Sequence, residues 1–353
     1  MSREDATRRF ADAQRRLVTQ ASDFSLETIA SMVDAKAIDP SPEYQRRERW
    51  DQVKQSALIE SFLLNVPVPP VYLAEEDFGV YSVIDGKQRI TAIHDFMRGR
   101  LALKHLQELP ELNGDRIAEL PESMANALRM RPYIRAVTLL KQSSPDLKYE
   151  VFIRLNTGGE ALTAQEVRNV AFRGPLNELI LKLGAEPFLR DQFRITDSSE
   201  RYRQMQDAEY VLRFLALAEF GTAYKGGLAE TMNRFMVRHV FATLEELNEF
   251  EHRFRKALYD CRDIWREYAF RRADDGLWRG RALLGMYDAQ MLAVASLGEG
   301  ELSRAKDRRS AVVESTARLF DDPSFTSSVT VSTNTTGRLF HRVNAIIQLL
   351  LGV

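Results

Sequence analysis

Apolar positions recur at helical spacing in some stretches of the chain and at strand spacing in others, and the switches between the two periods predict its elements. Residues 2–20 are polar, with Phe10 and Leu17 as their few apolar anchors. They predict a helical N-terminal arm carrying five Arg against three acids. A short helical period over Leu26–Ile38 is broken by Asp39-Pro40-Ser41-Pro42. Asp51 is a helix cap, and the helix it opens places Val53, Ala57, Leu58, Phe62 and Leu63 on one face until Asn65-Val66-Pro67 ends it. Val71-Tyr72-Leu73 and Tyr81-Ser82-Val83-Ile84 are β-rich runs separated by the turn-like Glu75–Gly79, so a hairpin is expected. From Gln88 the helical period returns with Ile90, Ile93 and Met97, stopping at Arg98-Gly99.

Ile134–Leu140 predicts a strand, and Ser144-Pro145 opens a helix that ends in Asn156-Thr157-Gly158-Gly159. Thr163-Ala164-Gln165-Glu166 has the form of a capping box for the helix after it. Beyond Leu162 every pattern is helical, notably Tyr210–Phe220, Met232–Leu244 and Leu247–Tyr268. The expected division is therefore an arm over residues 1–20, a mixed domain over 21–160 and an all-helical domain over 161–353. The fold class is α+β.

Length agrees with that division, since 353 residues exceed what one ordinary core fills. No apolar run is long enough to span a bilayer, and no signal-peptide pattern is present, so no membrane association and a cytoplasmic location are expected. Cys261 is the single cysteine, which excludes an internal disulfide and a cysteine-based zinc site. His94, His105, His239, His252 and His341 lack metal-ligand spacing. A net charge of -1 gives weak whole-molecule attraction to DNA, so any contact with it must come from a local basic patch.

Three segments hold candidate chemistry. In Tyr81–Thr91 a glycine turn joins a buried strand to a helix, and the unpaired N–H groups of a helix start make an anion site beside Lys87 and Arg89. Asp85 at the strand end suits a magnesium ion or an attacking water, and Gln88 suits positioning that water or a phosphate oxygen. A capped turn with solvated charges explains the spacing equally well. In the second segment, Gly158 and Gly159 free the backbone for close approach, with Asn156, Thr157 and Arg168 as polar groups around it. Tyr44-Gln45-Arg46, followed by Arg47, Arg49 and Trp50, is a basic cluster with aromatics. It suits base stacking, although Trp50 serves equally as a core anchor. The Ser/Thr-rich Thr326–Thr336 reads as a loop. Walker-type, nucleophile-elbow and dinucleotide glycine motifs are all missing.

Taken in order, Tyr44-Gln45-Arg46, Trp50, Leu58-Ile59-Glu60-Ser61, Pro67–Leu73, Ile84–Arg89 and Arg154–Gly159 resemble the N-terminal domain of GmrSD-type modification-dependent restriction proteins. The resemblance covers about residues 20–170. That family's signature is Asp-Gly-Gln-Gln-Arg, and this chain carries Lys87 at the middle position. The resemblance implies a ParB/sulfiredoxin-like domain that binds, and often hydrolyses, a nucleoside triphosphate with Mg²⁺, coupled to cleavage or sensing of phage DNA. Carried onto this chain it gives Asp85, Gln88 and Arg89 as catalytic residues and Asp85 as the metal ligand. Gly86 and Lys87 would contact the nucleotide, flanked by Tyr44, Gln45 and Arg46 on one side and Asn156, Thr157, Gly158 and Gly159 on the other. The His-rich nuclease core of larger members has no counterpart here, so a partner nuclease is expected. Two alternatives are a non-enzymatic DNA-binding module and weak metal-dependent nuclease activity in the ParB-like site.

Overall fold

The structure is a computed structural model and describes residues 7, 8, 10, 18–39, 50–155, 163–274 and 277–352. The chain forms two compact units, Met1–Leu162 and Thr163–Val353.

Unit 1 is built on a mixed five-stranded sheet of order β1-β5-β3-β4-β2, from β1 (Thr19–Ser25), β2 (Ile38–Asp39), β3 (Val71–Asp77), β4 (Val80–Asp85) and β5 (Tyr133–Leu139). The expected hairpin is present as β3–β4, with its turn confined to Phe78-Gly79 and Glu75–Asp77 drawn into the strand. β5 lies parallel to β3, from Val71 opposite Ala136 to Ala74 opposite Leu139, and β1 closes the edge antiparallel to β5. The expectation of a helical arm through residue 20 is therefore corrected: Thr19 and Gln20 belong to a strand. Most of the earlier part of that arm lies outside the described residues.

Among the described residues the sheet is joined by the α-helices α1 (Leu26–Asp34), α2 (Gln52–Leu63), α3 (Lys87–Met97), α4 (Glu122–Met130) and α5 (Pro145–Leu155). Asp51 caps α2 by accepting the Lys54 N–H at 2.8 Å. Leu26, Ile29, Ile59, Val71, Leu73, Ile90, Ile93, Phe96, Ile134 and Ala136 form the core between sheet and helices, and Trp50 packs against it. This favours the core-anchor reading of Trp50 over base stacking.

One charge sits inside this unit. Glu60, 6% exposed on α2, accepts the backbone N–H groups of Gln107, Glu108 and Leu109 at 3.2, 2.8 and 3.0 Å, and so pins the irregular segment between α3 and α4. Burial opposes its ionisation, yet the three N–H groups together outweigh burial and hold the carboxyl below the ordinary glutamate value of 4.5. A depressed folded-state pKa means that the stabilisation is complete above 4.5 and is lost as pH falls through the folded value. Glu60→Gln is expected to cost about 1–3 kcal/mol at neutral pH. In urea titrations the gap between the two proteins should narrow steadily on acidification below 4.5; a gap independent of pH would rule out the carboxylate as its source.

Unit 2 is mostly helical: α6 (Ala164–Ala171), α7 (Pro175–Gly184), α8 (Pro187–Phe193), α9 (Glu200–Arg203), α10 (Gln206–Phe220), α11 (Leu228–Arg238), α12 (Leu244–Trp265), α13 (Leu284–Ser296), α14 (Glu299–Asp307), α15 (Arg309–Arg318), α16 (Pro323–Thr330) and α17 (Thr336–Gly352). It is not all-helical. An antiparallel hairpin of β6 (Arg271–Asp274) and β7 (Leu277–Ala282) interrupts it between α12 and α13. The Ser/Thr-rich segment expected to be a loop is helix at both ends, α16 and the start of α17, with only a short link between them.

Three charged side chains meet inside this unit. Arg213 on α10 and Arg342 on α17 both donate to Asp288 on α13, Arg213 through Nε and Nη2 at 2.6 Å each and Arg342 through Nη2 at 2.5 Å. All three are buried. Further guanidinium hydrogens go to Asn334 Oδ1 and to the carbonyls of Ser328 and Thr333. Cys261 on α12 is fully buried, and burial, aided by the Asp260 carboxylate, pushes its thiol well up from the usual range.

Candidate functional site

The site is made by the last residues of β4 and the first turn of α3. The β3–β4 register slips between Leu73 opposite Val83 and Tyr72 opposite Asp85, so Ile84 is an extra residue and the strand bends just before Asp85. Gly86 follows with φ +93°, in the left-handed region that only glycine adopts cheaply. Space dictates the same residue: a Cβ there would lie 2.5 Å from Val71 Cγ1 and 3.1 Å from Arg89 Nε. Chain direction and close approach both require glycine at this turn.

Gly86 is the N-cap of α3 and supplies no side-chain acceptor, and no acid lies in the first turn. A helix start carries partial positive charge, so Lys87 and Arg89 add cations where the dipole disfavours them. Geometry resolves the conflict for Arg89. Its Nη2 reaches back one turn to Asp85 Oδ2 at 2.8 Å and to the Pro70 carbonyl at 3.1 Å. The Nε hydrogen is buried and has no acceptor among the described residues. Arg89 is 15% exposed and Asp85 49%, so the carboxylate faces solvent while the guanidinium lies beneath it. Gln88 Oε1 accepts the Trp50 N–H at 3.0 Å and ties the chain leading into α2 to this turn.

The structure thus brings together Asp85, Gly86, Lys87, Gln88 and Arg89. Tyr44, Gln45, Arg46 and Asn156, Thr157, Gly158, Gly159 lie outside the described residues. Pro70 joins the site through its backbone carbonyl, a role that no side-chain pattern in the sequence signals. Arg168, read as a polar group near the second glycine turn, is instead 1% exposed, with Nε 2.8 Å from Asn233 Oδ1, which ties α6 to α11. Glu166 closes the expected capping box, accepting the Thr163 N–H at 2.7 Å. Among the described residues, no group of three or more His, Cys, Asp or Glu is arranged to hold a metal ion. Asp85 therefore offers a single carboxylate, one oxygen of which Arg89 already binds. A cavity of about 590 Å³ lies elsewhere, in unit 2, beside Tyr268, Trp278 and Arg309.

No helix among the described residues is long and apolar enough to cross a membrane. No curated protein and no solved structure matches the chain. Residues 29–173 match the family model described as GmrSD restriction endonuclease, N-terminal domain, a span that takes in the core of unit 1, the Asp85–Arg89 turn and α6. Over that segment the chain is similar to the N-terminal domain of GmrSD restriction endonucleases.

Proposed function

We propose that this chain is the nucleoside triphosphate-binding and -hydrolysing component of a bacterial restriction system acting on DNA, with the phosphates held at the Asp85–Arg89 turn. The family match supports the restriction setting. The mixed sheet, with a strand-to-helix turn at the end of β4, agrees with a ParB/sulfiredoxin-like domain. The observation that carries the nucleotide reading is Arg89, a partly buried guanidinium at an uncapped helix start, whose buried Nε hydrogen has no acceptor among the described residues, beside a half-exposed carboxylate.

In this reading the helix start, Lys87 and Arg89 bind the phosphate oxygens and stabilise the charge that develops on the terminal phosphoryl group. A phosphate competes with Asp85 for the guanidinium, and the carboxylate it displaces orients the attacking water, with Gln88 beside it. Mg²⁺ would be held by Asp85 together with the phosphates, a one-carboxylate arrangement that magnesium commonly uses, and when bound it neutralises phosphate charge. The nucleotide walls would be Tyr44, Gln45 and Arg46 and Asn156–Gly159. A separate nuclease would act as partner, in the cytoplasm.

Differential scanning fluorimetry with each nucleoside triphosphate and Mg²⁺, paired with phosphate release, tests the proposal. Wild-type protein is expected to gain several degrees in Tm. Arg89→Ala should lose about 1 kcal/mol of baseline stability, because Pro70 and Asp85 lose their donor, and should show no further gain with ligand. Asp85→Asn should keep most of the binding and release phosphate about 10- to 1,000-fold more slowly. If wild-type protein shows neither a thermal shift nor turnover with any triphosphate, the reading fails.

A further inference from the structure

The cavity of about 590 Å³ in unit 2 takes no part in the site described above. Its volume falls within the roughly 300–1,000 Å³ that small-molecule sites occupy. The end of α12 and the length of α15 both line it, and the two helices are tied together. Trp265, fully buried at the end of α12, donates its Nε1 hydrogen to Thr316 Oγ1 on α15 at 2.9 Å. Beyond Trp265 the chain passes through Arg266 at φ +51° and ψ −131° and Phe270 at φ +64°, two residues held in backbone regions that disfavour a Cβ. Phe270 is fixed there by its N–H, which donates to Gln290 Oε1 at 2.6 Å, and by its carbonyl, which accepts the Leu283 N–H at 2.7 Å. Between these two residues Tyr268 stacks on Trp278 of β7, with ring centroids 5.1 Å apart and planes 30° from parallel. Both rings line the cavity and neither is fully buried.

α15 supplies a second wall. Arg309, Val313 and Ala317 recur every four residues and so share one face, which puts apolar surface and one guanidinium on the same side of the helix. Arg318 lines the cavity too, but Glu314 already pairs with it. Arg309 and Arg266 differ: both are exposed, and among the described residues neither side chain has a hydrogen bond or an ion pair. Two exposed acids, Glu267 and Asp321, complete the charged groups of the lining.

We infer that this cavity is a binding site for a free nucleoside monophosphate, whose base stacks on the Tyr268–Trp278 pair and whose phosphate is bound by Arg309 and Arg266. Aromatic surface beside two uncommitted guanidinium groups suits a ligand that is flat at one end and anionic at the other. Glu267 and Asp321 accept the N–H groups of a base and repel a longer run of phosphates, so a single phosphate is favoured over a triphosphate. The site is separate from the Asp85–Arg89 turn and does not rest on the nucleotide reading made there.

The test is tryptophan fluorescence of the full-length chain, titrated without Mg²⁺ with the 5′-monophosphates of adenosine, guanosine, cytidine and uridine. The tryptophans are Trp50 in unit 1, the sealed Trp265, and Trp278 in the cavity wall. At least one monophosphate should quench the emission saturably, and Trp278→Phe should remove most of that quenching. Arg309→Gln should weaken binding about 10-fold or more. The nucleoside without phosphate and ribose 5-phosphate without base should each bind about 10-fold or more weakly than the whole nucleotide. A short single-stranded oligonucleotide carries the same groups on a polyanion and should also bind more weakly. Arg89→Ala should leave the titration unchanged, whereas the thermal shift with triphosphate and Mg²⁺ should survive in Arg309→Gln, so failure at either site leaves the other standing. The inference is overturned by no saturable response to any monophosphate, by unchanged affinity in Arg309→Gln, by loss of the response in Arg89→Ala, or by equal or tighter binding of the nucleoside, ribose 5-phosphate or oligonucleotide.

Discussion

Asp288→Ala is expected to lower the stability of unit 2 by about 3–5 kcal/mol, because it leaves two buried guanidinium groups without the carboxylate that both of them bind. Arg213 and Asp288 are 3% and 1% exposed and Arg342 is wholly buried, so water cannot replace the carboxylate without opening the helices. Burial opposes charge on both arginines. Asp288 more than offsets this for Arg213, whereas for Arg342 burial prevails and pulls it down from the ordinary range. The cluster carries one negative charge against two positive, and the Ser328, Thr333 and Asn334 oxygens share the remainder. Removing Asp288 together with Arg213, as Asp288→Leu with Arg213→Met, should therefore be less damaging than Asp288→Ala alone. In thermal melts the single variant should lose on the order of 10 °C. A loss under about 1 kcal/mol would show that the cluster is hydrated in solution.

Gly86→Ala is expected to cost about 2–4 kcal/mol through two separable causes. A left-handed φ of +93° penalises any Cβ, and that Cβ would also press into Val71 at 2.5 Å. Val71 is fully buried at the start of β3 and has no room to withdraw. Adding Val71→Ala should recover the steric part and leave the backbone part, so the double variant should fall short of wild type yet be more stable than the sum of the two single losses. Strict additivity in chemical denaturation would mean that Val71 and position 86 do not touch.

How far these features were legible follows from what each element buries. The β3–β4 hairpin and the glycine turn after it could be read directly, because Val71–Leu73 and Tyr81–Ile84 are apolar runs and only glycine suits the strand-to-helix reversal. β1 escaped, since Thr19-Gln-Ala-Ser-Asp-Phe-Ser25 is polar and largely exposed; it is a strand because β5 offers it an edge, which no local pattern records. β6–β7 escaped for another reason. Its strands are arginine-rich and hide the Asp275-Gly276 pair, a turn signal that was present in the sequence. Arg213 within Val211–Leu215 and Asp288 within Met286–Met291 are lone charges in apolar helices, a pattern that marks buried ions but does not say which ion meets which. At the candidate site the residue types were legible. The Arg89–Asp85–Pro70 contacts were not, because they depend on how far a guanidinium folds back across one helical turn.

The single cysteine makes unit 2 report on itself. Cys261 is sealed inside α12 and its thiol stays protonated, so a maleimide or disulfide reagent can reach it only when the surrounding helices open. At low reagent concentration the labelling rate, divided by that of the denatured chain, gives the fraction of time this unit stands open. Unit 1 contains no thiol and is silent in the same tube. Labelling therefore measures the opening of one half of the chain in the intact protein, even where a thermal melt would merge the two.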